Sequence, residues 1–178
     1  MGLARAAGRD SDELPASMRA AILQQEAQGY ALDGEELASQ LLLDKAHAWA
    51  ATDDAGDARH GHGSFCTASY LEIQRAKCWQ IVGKPRQATS IYESALTQLP
   101  AVYHRDRGTA LVGLANAYAA ASEPEKAATV AVKALHIARS SGSNRTLHGV
   151  TAVGRTLSSF QTLAPVKVLL DQLVGTAV

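Results

Sequence analysis

The sequence predicts an all-α protein of stacked helix pairs, and three observations carry that expectation. Aromatic residues make up only 5% of the 178-residue chain. Alanine is abundant and β-branched runs are scarce, so helix is favoured nearly everywhere. The segment RAKCWQIVGKPRQATSIYESALTQLP (75–100) also aligns with LANAYAAASEPEKAATVAVKALHIAR (114–139) at a constant offset of 39 residues. Finally, Pro85 and Pro124 occupy equivalent places in the two segments. A helix tolerates proline only in its first turn, so each should open a second helix.

Eight helices follow in order. The first, 18–32, carries Ala27 and Tyr30, and Gly34 separates it from a second over 35–51 with Ser39, Leu43 and Ala46. This opening frame stands 49 residues before its counterpart, ten more than the regular offset. The excess is expected as a loop marked by Asp53, Asp54, Gly56, Gly61 and Gly63. A third helix, 67–82, would start on a capping box, Ser69-x-x-Glu72, with Thr67 just before it and Phe65 as a hydrophobic staple. Pro85 opens the fourth, 85–98, which carries Ala88, Tyr92 and Ala95. The fifth, 106–121, begins at Asp106, a helix-start carboxylate between Arg105 and Arg107, and holds Leu111, Leu114, Ala115 and Tyr118. Pro124 opens the sixth, 124–140, with Ala127, Ala131 and Ala134. The last two, 146–160 and 164–174, complete the set, the former matching through Val150, Val153, Gly154 and Leu157.

Composition excludes several functions. The chain has 17 basic and 17 acidic residues and a net charge of zero, so it lacks the basic excess of a nucleic-acid surface. No apolar run reaches bilayer length, and the N-terminus has no signal-type apolar region. Cys66 and Cys78 fall on one helix about three turns apart, too distant for a disulfide. A reduced, cytoplasmic chain is expected.

The aligned residues resemble the tetratricopeptide repeat, whose unit is a pair of antiparallel helices. The second repeat matches at Ala76, Trp79, Gly83, Ala88, Tyr92, Ala95 and Pro100, and the third at Ala115, Tyr118, Ala127 and Ala134, with Ala131 in place of an aromatic. Small residues in these places let helices approach closely, while aromatics fill the gaps. The first and fourth repeats are degenerate, as terminal repeats often are. The resemblance implies a right-handed helical solenoid of four helix pairs, at about 20–51, 69–100, 108–140 and 147–174, within a single domain over 18–178. Residues 1–17 are expected as a disordered extension.

More specifically, HGSFCTASYLEIQRAKCW and LPAVYHRDRGTALVGLANAYAAASEPEKAATVAVKALHIARSSGSNRTLH resemble the C-terminal repeat domain of actinobacterial transcription regulators with a lambda-repressor-like helix-turn-helix. In that family the repeat domain senses or binds something, and the other domain reads DNA. The seventeen residues before the first expected helix are too short for such a domain, so DNA binding is not carried over.

In a tetratricopeptide solenoid the first helix of each pair lines a concave groove. The residues so placed are Tyr70, Ile73, Lys77 and Gln80 in the second repeat, Val112 and Asn116 in the third, and His148 and Arg155 in the fourth. Thr109, Ala119, Thr151 and Ser158 share the same rows. Lys77, Asn116 and Arg155 form a row 39 residues apart, suited to an extended acidic peptide or a small molecule of similar reach.

Catalytic signals are weak. His60, His62 and Cys66 supply three zinc-type ligands where four are wanted, with His47, Asp57 and His104 as uncertain fourths. An ordinary metal-free loop is expected over 52–64. There is no phosphate loop, zinc-protease helix or nucleophile elbow. No cofactor is implied, and catalysis is not indicated. The expected function is therefore a regulatory peptide- or protein-binding or sensing module. A stand-alone biosynthetic protein using the same groove on a small molecule, and a scaffold that self-associates into a homodimer, are the rival readings.

Overall fold

Helix ends in this chain are set by recurring local chemistry. The computed structural model describes residues 14–52 and 66–175. Among them it has eight α-helices and no strand, so the protein is all-α. They are α1 Ala16–Leu32, α2 Glu36–Ala50, α3 Ala68–Ile81, α4 Pro85–Gln98, α5 His104–Ala120, α6 Pro124–Ser141, α7 Asn144–Leu157 and α8 Ala164–Val174. A short 3-10 turn, Ser158–Phe160, follows α7.

One turn recurs at the offsets of the sequence repeat. After α1, the Glu35 N–H donates to the Tyr30 carbonyl (2.9 Å) and the Gly34 N–H to that of Ala31 (3.1 Å). After α3, Lys84 donates to Trp79 (2.8 Å) and Gly83 to Gln80 (3.0 Å). After α5, Glu123 donates to Tyr118 (2.9 Å) and Ser122 to Ala119 (3.1 Å). Each pair of bonds satisfies carbonyls left over at a helix end, and each needs a left-handed residue beyond the cap. Gly34, Gly83 and Ser122 hold φ of 81°, 78° and 63°, spaced 49 and then 39 residues apart. Ser122 adopts that conformation with a Cβ, at a cost of roughly 1–2 kcal/mol.

Helix starts are more varied. Pro124 stands in the first turn of α6, and Pro85 is the first residue of α4. At α3 the cap is Thr67, whose hydroxyl accepts the Tyr70 N–H at 3.2 Å. The expected Ser69–Glu72 box is thereby corrected: Ser69 lies inside the helix, and Glu72 is engaged elsewhere. Ser143 caps α7 by accepting the Thr146 N–H at 3.3 Å, so that helix starts two residues earlier than expected. Arg105 and Arg107 do not hold Asp106. Arg105 donates to the Ser141 carbonyl (3.2 Å), and Arg107 to the carbonyls of Leu96 (2.9 Å) and Leu99 (2.5 Å).

The described residues fall into two units, one ending at Lys84 and the other starting at Pro85. In the N-terminal unit α1, α2 and α3 all pack on one another. Ala20, Ala46, Cys66 and Leu71 form one buried cluster, and Ala27, Ala31, Leu43 and Cys78 another. Both cysteines are buried and free. Arg75 braces α3 to α2, donating to Gln40 (3.0 Å) and Asp44 (2.8 Å) while also holding Glu72 (3.0 Å).

In the C-terminal unit α5 packs on α4, α6 and α7, and α6 packs on α7 and α8. Its core holds Leu114, Leu135, Val150, Val153, Leu157 and Leu169, all within 4% of full burial. Glycines permit the closest approaches. A Cβ on Gly149 would lie 2.7 Å from Val112 Cγ1, and one on Gly108 would lie 2.8 Å from Ile137 Cγ2. Among the described residues no helix is long and apolar enough to cross a membrane.

Candidate functional site

Neighbouring helices α5 and α7 present one polar face of the C-terminal unit. Their contact is fixed by Gly149 against Val112 and by Gly108 against Thr146. On this face Asn116 of α5 and His148 and Arg155 of α7 are exposed. The hydroxyls of Thr109 and Thr151 turn back onto carbonyls of their own helices, Arg105 (3.3 Å) and Leu147 (3.0 Å). Amide, imidazole and guanidinium groups are the polar groups that these three residues expose. They can donate to carboxylates and peptide carbonyls.

The other expected groove residues fare differently. Val112 is half-buried in the α5–α7 contact, so it serves packing. On α3, in the N-terminal unit, Lys77 is exposed, Gln80 is half-buried and Tyr70 packs beside the Cys66 cluster. Ile73 is a core residue at 8% exposure and offers a ligand little surface. The Lys77, Asn116, Arg155 row therefore takes one member from the N-terminal unit and two from the C-terminal unit.

Sequence reasoning missed a second feature, a cleft of about 1260 Å³ in the C-terminal unit. It opens where α4 and α6 flank α5 without packing substantially on each other. Leu96 of α4, Leu111 and Leu114 of α5, and Val130 and Ile137 of α6 supply its apolar surface. Lys133, His136 and Arg139 of α6, with Arg107 at the base of α5, make its rim basic. Glu93 is the one carboxylate lining it, and that group accepts the Tyr118 hydroxyl. Burial, together with Glu93, pushes the Tyr118 phenol up to about 12. None of the expected groove residues lines this cleft.

In the N-terminal unit the main charged cluster joins α2 to α3. His47 Nε2 lies 2.6 Å from Glu72 Oε1, which Arg75 Nε also approaches at 3.0 Å. The bond from His47 and the Arg75 guanidinium hold the Glu72 carboxyl below its ordinary value, against the opposing effect of burial. Every donor nitrogen of Arg75 faces a protein oxygen, so the cluster reads as a brace between helices.

The zinc-type side chains weighed in the sequence, where a metal-free loop is expected, are split. His60, His62 and Asp57, with most of the loop expected over 52–64, lie outside the described residues, as does Phe65. His47 is committed to Glu72, and His104 Nε2 lies 3.3 Å from the Ser140 hydroxyl. Burial pushes the Cys66 thiol up to about 12, which leaves almost no thiolate to meet an electrophile at neutral pH. Among the described residues no group of three or more His, Cys, Asp or Glu side chains could hold a metal ion. No protein-family model matches the chain and no curated protein matches it.

Proposed function

We propose that the chain is a tetratricopeptide-type binding module, akin to the repeat domain of transcription regulators, that works in the cytoplasm and recognises an extended acidic peptide or partner segment. The observation that carries this reading is the exposed Asn116, His148 and Arg155 set on neighbouring helices α5 and α7. Three further features support it. Within each unit helices pack on their first and, in most cases, second successors, as in a solenoid. The same helix-ending turn returns at the repeat offsets. The small residues that the repeat needs, Ala76, Ala88, Ala115, Ala127 and Ala134, are all fully buried.

An extended peptide advances about 3.3 Å per residue, so helices 8–10 Å apart meet roughly every third residue. Charge-assisted hydrogen bonds contribute roughly 1.5–3 kcal/mol each. Losing one should therefore weaken binding about tenfold or more. The probe is a fluorescent, unstructured Gly/Ser peptide with a glutamate near each end and an asparagine midway. Asn116→Ala, His148→Ala and Arg155→Ala should each weaken its binding without lowering the melting temperature. Unchanged affinity in all three variants sinks the reading.

A further inference from the structure

We infer that the cleft flanked by α4 and α6 is a docking site for an amphipathic helix of a partner protein, about three turns long and acidic along one flank. The α6 wall sets the size of the occupant. Its lining runs from Val130 to Arg139, a rise of about 14 Å, which a helix of about ten residues spans. Small-molecule pockets are typically about 300–1000 Å³ and close around their ligand; this cleft is larger than that range.

The walls set the conformation. Both are helices with no row of free backbone groups. Unlike Asn116 and Arg155 on the α5–α7 face, Arg107 and Arg139 here already serve protein carbonyls and not an extended backbone. An occupant helix satisfies its own backbone and needs only side-chain contacts. Leu111 on the floor and Val130 on the α6 wall, both half-buried, would meet its apolar stripe.

Charge sets the partner's polarity. Arg107 is occupied by the Leu96 and Leu99 carbonyls, and Arg139 donates to the Gln172 carbonyl at 2.7 Å. Lys133 and His136, both exposed, stand one turn apart on the α6 wall. The single carboxylate, Glu93, is on the α4 wall and takes up the Tyr118 hydroxyl. A docked helix therefore meets positive charge along its α6 flank, where glutamates would fit.

The test uses the full chain and a fluorescein-labelled, hydrocarbon-stapled peptide of about fourteen residues, because free helices of that length are marginal in water. The peptide carries leucines at helical spacing and glutamates along one flank. Anisotropy should show binding that weakens tenfold or more in the Lys133→Glu, His136→Glu double variant. A lysine-flanked peptide, and one with its leucines replaced by serine, should bind at least tenfold more weakly than the original. Asn116→Ala and Arg155→Ala should leave this binding unchanged, whatever they do to the extended peptide. Three results overturn the inference: no binding at roughly 100 µM peptide, binding indifferent to the double variant, or binding lost in Asn116→Ala or Arg155→Ala. The last would move the peptide to the α5–α7 face, whereas failure of the extended peptide alone leaves the cleft standing.

Discussion

Replacing Gly113 with alanine sets two opposite effects against each other. In a helix interior this change ordinarily stabilises by about 0.8–1 kcal/mol, because glycine loses more backbone freedom on folding. Here the added Cβ would lie 2.5 Å from the Tyr92 hydroxyl oxygen and 2.7 Å from its Cζ. Tyr92 is 3% exposed, so its rigid ring has little room to swing away. Overpacking a buried site costs about 1–3 kcal/mol. Contacts this far inside the ordinary carbon separation of about 3.5–4 Å belong at the upper end of that range. The clash should win by about 1–2 kcal/mol, lowering the melting temperature by roughly 2–8 °C. Thermal denaturation followed by far-ultraviolet circular dichroism measures the shift. In a Tyr92→Phe background, where the nearest atom is gone, Gly113→Ala should cost at least about 0.5 kcal/mol less. An unchanged or raised melting temperature for Gly113→Ala would refute the argument, because backbone entropy would then have outweighed packing.

Two further outcomes are expected. Ala115 is fully buried whereas Ala119 is half-buried, so Ala115→Leu should cost about 1–3 kcal/mol and Ala119→Leu little; equal melting temperatures would break the repeat register. Glu72 has a lowered folded-state pKa, so its ion pairs stabilise above the ordinary glutamate value, and that stabilisation is lost as pH falls through the lowered one. The side chain is 36% exposed, so solvent screening keeps the effect under about 1 kcal/mol. Urea titrations should find Glu72→Gln less stable than the parent at neutral pH and the gap closing below the ordinary glutamate range; a gap independent of pH counts against the brace.

The elements were legible because their signals are local. Pro85 and Pro124 mark helix starts by what proline cannot do, and Gly34 and Gly83 mark helix ends by the left-handed backbone that they adopt. Ser122 carried no such mark, because serine is a poor residue for a left-handed backbone and only the helix ends expected at 121 and 124 bracket it. Errors arose where several side chains compete for one role. Thr67 and Ser69 can both cap a helix, and only the geometry that aims Thr67 at the Tyr70 N–H decides between them. Arg105 and Arg107 flank Asp106 in sequence, yet each reaches a backbone carbonyl well away in the chain. Long side chains choose among partners that the fold brings near, which no spacing rule encodes.

The outward placement of Asn116 on α5 and of His148 and Arg155 on α7 was legible in the sequence, and the cleft was not. Helical spacing sufficed to place Asn116 outward, because that depends on α5 alone. The cleft depends on how far α4 and α6 splay across α5, a property of three helices at once. Its one trace in the sequence is Leu111, an apolar residue in core register that ends half-buried and faces the cleft. Leu111 and Asn116 are five residues apart, which turns them about 140° around the helix. A ligand on the Asn116 side therefore does not occupy the space over Leu111. The two proposed surfaces answer to separate substitutions, and one chain has room for an extended peptide and a partner helix together.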